Sequence, residues 1–489
     1  MRPRLIIAPG KDKALLRRHP WIFSGAVKRV VGEPQEGDLV DVVAPDGRWL
    51  AVGHYQSDSI ICKVLSFDTP DIDEAFFRRR LQSAIDYRRR LGFFDYLSQK
   101  APCQPLEVSK SRSLEVRPQA TNVFRLVHAE GDLLPGLVCD WYNGIVVMQA
   151  HSVGMHRLFP MFVDLFRNLL GDSLLAVFDK SSATCPAVPE GSAFSVPSQG
   201  GVPEGSTFSV PSQGGVPEGR GGSKITDKYH WGITPTEHEI TESGNRLLIN
   251  FYEGQKTGFF IDQRDNRAMV QRLAKGHRML NCFGYTGGFS LAALRGGAEF
   301  VETVDISKKA IELCNRNVAL NFGPDAPHRG TVADVMTVFS GQCSVVSDQC
   351  SVFSDAAQQK LNTKHSTLNT QNSTQLNTKH STLNTKYDFI ILDPPAFAKN
   401  HRSLQQGLKG YRTINQRAME VLPEGGLLMT FSCSQAVSVD DFRTMVFTAA
   451  ANAHRQVRVV SVLPHAADHP VSIYHPEGEY LKGLLLEIR

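Results

Sequence analysis

From residue 1 to about residue 70, apolar and polar positions alternate in short runs. "GDLVDVV", "WLAVGHY" and "SIICKVLSF" are separated by turn-forming stretches such as "APDG". Period-two alternation broken by Gly, Pro and Asp is the pattern of short strands, and several in succession predict a small barrel. In "DIDEAFFRRRLQSAIDYRRRLG" the spacing changes. Phe77, Leu81 and Ile85 recur four apart and predict a helix, with Asp73 as its N-cap and Gly92 at its stop. Two arginine triplets, 78–80 and 88–90, flank that stripe and read first as a solvated helix face. "FRLVHAEGDLLPGLVCDWY" and "GIVVMQAH" then read as strands joined by turns. One helix follows in "MHRLFPMFVDLFRNLL", which completes a small α+β domain.

Two stretches break the pattern by repeating themselves. "GSAFSVPSQGGVPE" at 191–204 recurs almost unchanged at 205–218, and "LNTKHSTLNT" at 361–370 recurs at 376–385. Repeats this rich in Gly, Pro, Ser, Thr and Asn bury too little apolar surface to offset chain entropy, so both are expected to be disordered insertions. From Lys228 onward strands alternate with helices: "RMLNCF", "FVETVDI", "GTVADV", "YDFIILDPP" and "GGLLMTFSCS" are followed, in all but the third case, by long helical patterns. Such alternation predicts a parallel, doubly wound sheet. The last two runs, "VRVVSVL" and "GLLLEIR", have no long helix between them and are expected to form an antiparallel edge. The expected division is 1–70, 71–185, an insertion at 186–223, and 224–489 with a second insertion at 341–386.

Composition narrows the class. Hydrophobic residues make up 42% and charged residues 21% of the 489, as in ordinary globular proteins. No apolar run reaches the roughly 18 residues of a membrane span, and the basic N-terminus lacks the long apolar centre of a signal peptide. Nine scattered cysteines without a C-x-x-C pair argue against a zinc site or disulfide framework and fit a reducing cytoplasm, so no metal is expected. Residues 1–100 hold 17 Lys+Arg against 13 Asp+Glu, whereas the rest of the chain holds 36 of each. A front end that faces a polyanion is one reading of that excess, and a solvated basic surface is the other.

The candidate chemistry lies at strand ends. The first strand of the alternating region runs into "NCFGYTGGFS", where Gly284, Gly287 and Gly288 allow a tight turn and a close backbone approach to a ligand. The spacing is not that of a dinucleotide fingerprint, and no lysine follows to make a phosphate-binding loop. Asp305 ends the second strand roughly 20 residues beyond Gly284, the place of an acceptor for ribose hydroxyls. Asp334 closes the third strand and Asp393 the fourth, with Pro394 and Pro395 next. Each aspartate alone is more often a helix N-cap. Together, without a phosphate cradle, they favour S-adenosylmethionine over a dinucleotide.

Several segments resemble the RlmI-type methyltransferases of bacterial large-subunit ribosomal RNA. They are "GQKTGFFIDQRDNR" (254–267), "LNCFGYTGGFS" (280–290), "ILDPPAFAK" (391–399), "TFSCS" (430–434) and "ADHPVSIYHPEGEYLKG" (467–483). "RRHPWIFSGAV" (17–27) resembles the family's PUA domain, and "RLVHAEGDLLPGLVCDWY" (125–142) its small central domain. The resemblance implies an α/β fold: a class I, Rossmann-like methyltransferase domain with a mixed seven-stranded sheet, preceded by a small β-barrel PUA domain and a small α+β domain. It implies a cytoplasmic enzyme that methylates carbon-5 of a cytosine in 23S ribosomal RNA or a large-subunit precursor, and a homodimer. It places Phe283, Gly284, Tyr285, Gly287, Asp305, Ile306, Asp334, Val335 and Asp393 on the cofactor. Lys256, Pro394, Pro395 and Phe397 fall on the substrate side, and Cys433 and Asp393 carry the chemistry.

Carbon-5 of cytosine is a poor nucleophile until a thiolate adds to carbon-6, which splits one hard step into two easier ones. A cysteine ending the fifth strand, in "TFSCS", is where such a thiol would stand. Its competing reading is a small buried hydrophobe, the expected fate of Cys139, Cys282 and Cys314. Other RNA cytosine-5 methyltransferases carry a second cysteine after the fourth-strand proline, whereas this chain reads "DPPAFA". Two alternatives stay open: methylation of guanine nitrogen-7, which needs no thiol, and an inactive sheet serving as an RNA-binding or assembly factor.

Overall fold

Pairing of the alternating runs organises the chain in this computed structural model. It describes residues 2–98, 121–185, 225–340, 387–398 and 400–489, so the expected insertions at 186–223 and 341–386 lie outside the described residues. The chain divides into two units: Met1–Gly244 with Ile249–Asp262 and Ala467–Gly478, and Asn245–Leu248 with Gln263–Ala466 and Glu479–Arg489. Among the described residues no helix is long and apolar enough to cross a membrane.

The first unit begins with β1 (Arg4–Ile7), β2 (Trp21–Phe23), β3 (Val27–Val31), β4 (Leu39–Val43), β5 (Trp49–Tyr55) and β6 (Ile60–Ser66). They form one sheet in the order β2-β6-β5-β4-β1-β3, antiparallel except for the β1–β4 pair. The alternation closes its core, with Leu5, Ile7, Val40, Val42, Ala51, Cys62 and Val64 all facing inward.

The predicted helix spans Glu74–Arg90, and the Asp73 carboxylate accepts the Phe76 N–H at 2.7 Å. Phe77, Leu81 and Ile85 are buried as their spacing requires. Of the expected solvated face, Arg88 is an exception, because it is fully buried. Its guanidinium donates to Asp132 Oδ1 at 2.6 Å, to the Asp468 carbonyl at 2.6 Å and to the Arg125 carbonyl at 2.8 Å. A planar cation with five donors can be buried only against such a set of acceptors.

β7 (Val123–His128), β8 (Leu137–Tyr142), β9 (Ile145–Ala150), β10 (Ala176–Asp179) and β11 (Lys228–Trp231) form a second sheet, in the order β11-β10-β9-β8-β7. The expected boundary between 185 and 224 therefore separates β10 from β11, which are antiparallel neighbours in this sheet. The single helix expected after β9 is two, Val153–Arg157 and Phe159–Leu170, with Pro160 in the first turn of the second. Proline lacks the N–H needed inside a continuous helix but suits a first turn, so the helix restarts there. Two short strands follow, β12 (His238–Glu242) and β13 (Asn245–Ile249).

The second unit holds β14 (Arg278–Cys282), β15 (Phe300–Asp305), β16 (His328–Val332), β17 (Phe389–Leu392), β18 (Leu427–Ser432), β19 (Val457–Val462) and β20 (Lys482–Ile488). The sheet order is β16-β15-β14-β17-β18-β20-β19. β14 to β18 run parallel, and β20 lies antiparallel between β18 and β19, so the last two strands do form an antiparallel edge. Strands of the parallel part read as near-continuous apolar runs because both faces are covered. Phe389, Ile390, Ile391 and Leu392 of β17 are all fully buried. Two of the long helices are capped at their N-termini. Ser307 caps Lys308–Phe322, and Ser438 and Asp441 form a reciprocal capping box ahead of Val439–Asn452.

Breaking the Arg88 pair leaves Asp132 buried without its cation. Arg88→Met should therefore destabilise the first unit by about 3–5 kcal/mol, read as a lowered midpoint of its urea unfolding transition.

Candidate active site

A parallel sheet collects its strand ends. In the second unit the carboxyl ends of β16, β15, β14, β17 and β18 lie along one edge, and the strand order reverses between β14 and β17. Ligands of open α/β sheets bind outside that edge at the reversal. Phe283–Gly287, Asp305–Ile306, Asp334–Val335, Asp393–Phe397 and Cys433 each lie at or just after the end of one of these five strands, so the second unit holds every expected residue but Lys256. Lys256 belongs to the first unit, where its ammonium pairs with Asp262 at 2.9 Å and lies 4.6 Å from the Phe260 ring centre.

The loop after β14 is strained in a way that marks ligand sites. Phe283 (φ +60°) and Tyr285 (φ +46°) both adopt left-handed backbone, which costs a bulky residue about 1–3 kcal/mol. Gly287 (φ +86°) opens the helix Gly288–Arg295, and a Cβ there would sit 2.5 Å from Cys314 Sγ. A Cβ on Gly284 would lie 2.2 Å from the Thr303 methyl. The loop rests on a buried polar ladder. Asn281 donates to Ser290 Oγ at 2.9 Å, Ser290 Oγ meets Thr303 Oγ1 at 2.6 Å, and Thr303 Oγ1 meets His328 Nε2 at 2.7 Å. Burial pushes the His328 imidazole down to about 4, so it stays neutral within the ladder.

Asp305 ties this loop to the next strand end. One carboxylate oxygen accepts the Tyr285 N–H at 3.0 Å and the other the Ser307 N–H at 2.8 Å. A carboxylate has about four acceptor positions. The half-buried group keeps capacity for two hydroxyls of a ribose, and the residues present fit an adenosyl ligand. Ile306 is largely exposed beside it. Asp334 does what an isolated aspartate at a strand end often does: it caps the helix Val335–Phe339, accepting the Met336 N–H at 2.7 Å. The Val335 side chain is buried in the core, so what it can offer a ligand is its first-turn backbone N–H.

The thiol stands on a built turn. Alternation at the end of β18 turns Ser432 and Ser434 inward, where they are buried, and leaves Cys433 partly exposed between them. Ser434 Oγ meets the Tyr411 hydroxyl at 2.8 Å and accepts the Ala398 N–H at 3.3 Å. Cys433 Sγ lies 4.0 Å from the Pro394 carbonyl, which links the β18 and β17 ends. Pro394 is buried and Pro395 exposed. Phe397 packs its ring on Tyr411 with centres 4.6 Å apart, so one face is committed to the core. Cys139, Cys282 and Cys314 are fully buried, and burial drives each thiol well up, Cys314 to about 12. They behave as small hydrophobes, in contrast to Cys433.

Sequence reasoning missed Tyr411, Ser434, Thr303 and Lys482. Lys482 had left a signal, a lone cation heading the apolar run "LKGLLLEI".

Comparison with known proteins gives the family and the fold. A pattern for PUA-like domains matches residues 5–67, and one for S-adenosylmethionine-dependent methyltransferases matches residues 228–332. Ribosomal RNA large subunit methyltransferase I of Klebsiella pneumoniae is 34% identical over 99% of this chain and 98% of its own. The protein of the same name from Escherichia coli is 33% identical over the whole of both chains. Among solved structures, a Streptococcus mutans chain described as an S-adenosylmethionine-dependent methyltransferase superposes with a TM-score of 0.69 at 18% identity, over 99% of both chains. Another, a methyltransferase complexed with S-adenosylhomocysteine, gives 0.70 at 19% identity over the same shares, and both speak for the fold. The chain belongs to the ribosomal RNA large subunit methyltransferase I family and is an S-adenosylmethionine-dependent methyltransferase.

Proposed function

We propose that this enzyme methylates carbon-5 of a cytosine in 23S ribosomal RNA or its large-subunit precursor, with Cys433 as the nucleophile. The observation that carries the reading is the partly exposed Cys433 at the strand-end edge, between two buried serines. The family relatives' shared name supports ribosomal RNA as the substrate class. The cytoplasm, where ribosomal RNA is made in bacteria, is its working compartment, and a homodimer is the expected assembly.

S-adenosylmethionine supplies the methyl group. The chain's own residues do the rest. The Asp305 carboxylate orients the ribose, and the loop 283–287 closes on the adenosyl group. The Cys433 thiolate adds to carbon-6 of an unstacked cytosine, which pushes electron density onto carbon-5. Asp393, at the adjacent strand end, holds the amino edge of the base or protonates its ring nitrogen. Pro394 and Pro395 stiffen that loop and, lacking N–H groups, leave carbonyls as its polar contacts. After methyl transfer, loss of the carbon-5 proton lets the thiolate leave and restores the aromatic ring. Phe397 and Lys256 are assigned to the RNA side, and the exposed cations of the first sheet to phosphates.

Asp305→Ala removes the ribose acceptor. Affinity for S-adenosylmethionine should fall about tenfold or more, as expected for loss of a hydrogen bond to a charged group. An unchanged calorimetric Kd would take Asp305 out of the site. Lys28 and Arg29 are exposed on β3. Reversing both to glutamate should reduce the slope of log affinity for RNA against log salt by about 2, with cofactor affinity unaltered. An identical slope would show that this edge does not touch phosphates.

Cys433→Ser keeps the side chain's shape and loses the reactive thiolate. It should bind cofactor and RNA normally while methyl transfer drops by orders of magnitude. RNA with 5-fluorocytosine at the target should trap the wild-type enzyme covalently, because fluorine cannot leave as a proton does, and the serine variant should not be trapped. Guanine nitrogen-7 methylation predicts near-normal turnover and no adduct. That pair of results, or a methylated guanosine in nucleoside mass spectrometry, would overturn the assignment.

A further inference from the structure

The lysine that heads β20 straddles the thiol. In the antiparallel register Lys482 sits directly opposite Ser432, the residue before Cys433. Its ammonium donates to the carbonyl of Ser434, the residue after, at 2.6 Å, and to the Tyr480 carbonyl at 2.8 Å. Lys482 thus meets the chain on both sides of Cys433, through its backbone register before it and its ammonium after it, and the residue is only 6% exposed. Among the described residues Lys482 makes no ion pair with a carboxylate. A buried cation without an ion-pair partner in contact is expensive.

We propose that Lys482 is the positioning residue of the nucleophile: it fixes the turn that presents Cys433 and holds the sulfur as its thiolate. This rests on the reading of Cys433 as the nucleophile. An ammonium has three N–H donors, and the two carbonyls take two, which leaves one for a neighbouring anion. Burial lowers the Lys482 pKa to about 8, and the negative charges that act back on it are those of Cys433 and Glu479. The sulfur and the ammonium therefore lie within electrostatic reach. The other titratable groups at this turn do not compete for the role. The Tyr411 phenol, from the helix Leu404–Val421, is pushed up by burial and stays neutral. His465 lies against the Tyr480 ring, 5.7 Å between centres. When the thiol loses its proton to water, the ammonium beside it stabilises the thiolate.

The test is the pH dependence of Cys433 alkylation by iodoacetamide, followed on the Cys433 peptide by mass spectrometry in the intact enzyme. Lys482→Gln should raise the apparent thiol pKa by about one unit, so alkylation near pH 7 falls about tenfold and converges with wild type above pH 9. Lys482→Arg should keep the wild-type profile because it keeps the charge. S-adenosylmethionine binding serves as the folding control. Should the glutamine variant fail it, the arginine variant decides alone: a wild-type profile upholds the proposal, and a raised one overturns it. A glutamine variant that binds cofactor, loses methyl transfer and alkylates like wild type would reduce Lys482 to a structural part. Shifted alkylation in Lys482→Gln together with full activity of Cys433→Ser would instead uphold the charge coupling and overturn the nucleophile reading.

Discussion

Five parallel strands place the site. Parallel pairing puts the carboxyl ends of β14 to β18 on one edge, so each chain reversal there starts from that common edge. The residues proposed to serve a ligand come from sequence positions 283 to 433. The cost of the arrangement is backbone strain in Phe283 and Tyr285, and the polar ladder from Asn281 to His328 is what holds it. Asp305 works on both sides of that balance, closing the loop through the Tyr285 N–H while keeping acceptor capacity for a hydroxyl.

The first unit is held by a different device. Arg88, Asp132, Arg125, Asp140, Thr257 and Asp468 share one buried network, in which Arg125 N–H reaches Asp468 at 2.7 Å and Arg125 Nε reaches Asp140 at 2.5 Å. Its members come from the segments around 88, 125–142, 257 and 468, far apart in sequence. A network of this kind is worth little if half satisfied, so it specifies one arrangement of those segments more than it stabilises it.

What the sequence made legible was whatever depends on local order. Asp73, Phe77, Leu81 and Ile85 identified a helix and its buried face because capping and 3.6-residue periodicity are local. The strand ends at Asp305, Asp393 and Cys433 were readable because an apolar run must stop before its polar residue. Arg88 was not readable, since its acceptors on Asp132 and Asp468 belong to other segments. Lys482 was missed for the same reason, as its partner strand lies some fifty residues upstream. The boundary expected near 224 failed to foresee β11 because composition marks where a chain becomes polar, while strand pairing ignores such marks.

The β10–β11 pair has a consequence for how this chain tolerates change. Asp179 and Lys228 face each other across the ladder, so whatever connects them starts and finishes at the same place. Closing such a connection costs only about 0.6 kcal/mol more for each doubling of its length. Selection against duplication is therefore weak at that junction, and the internal repeat at 191–218 falls there.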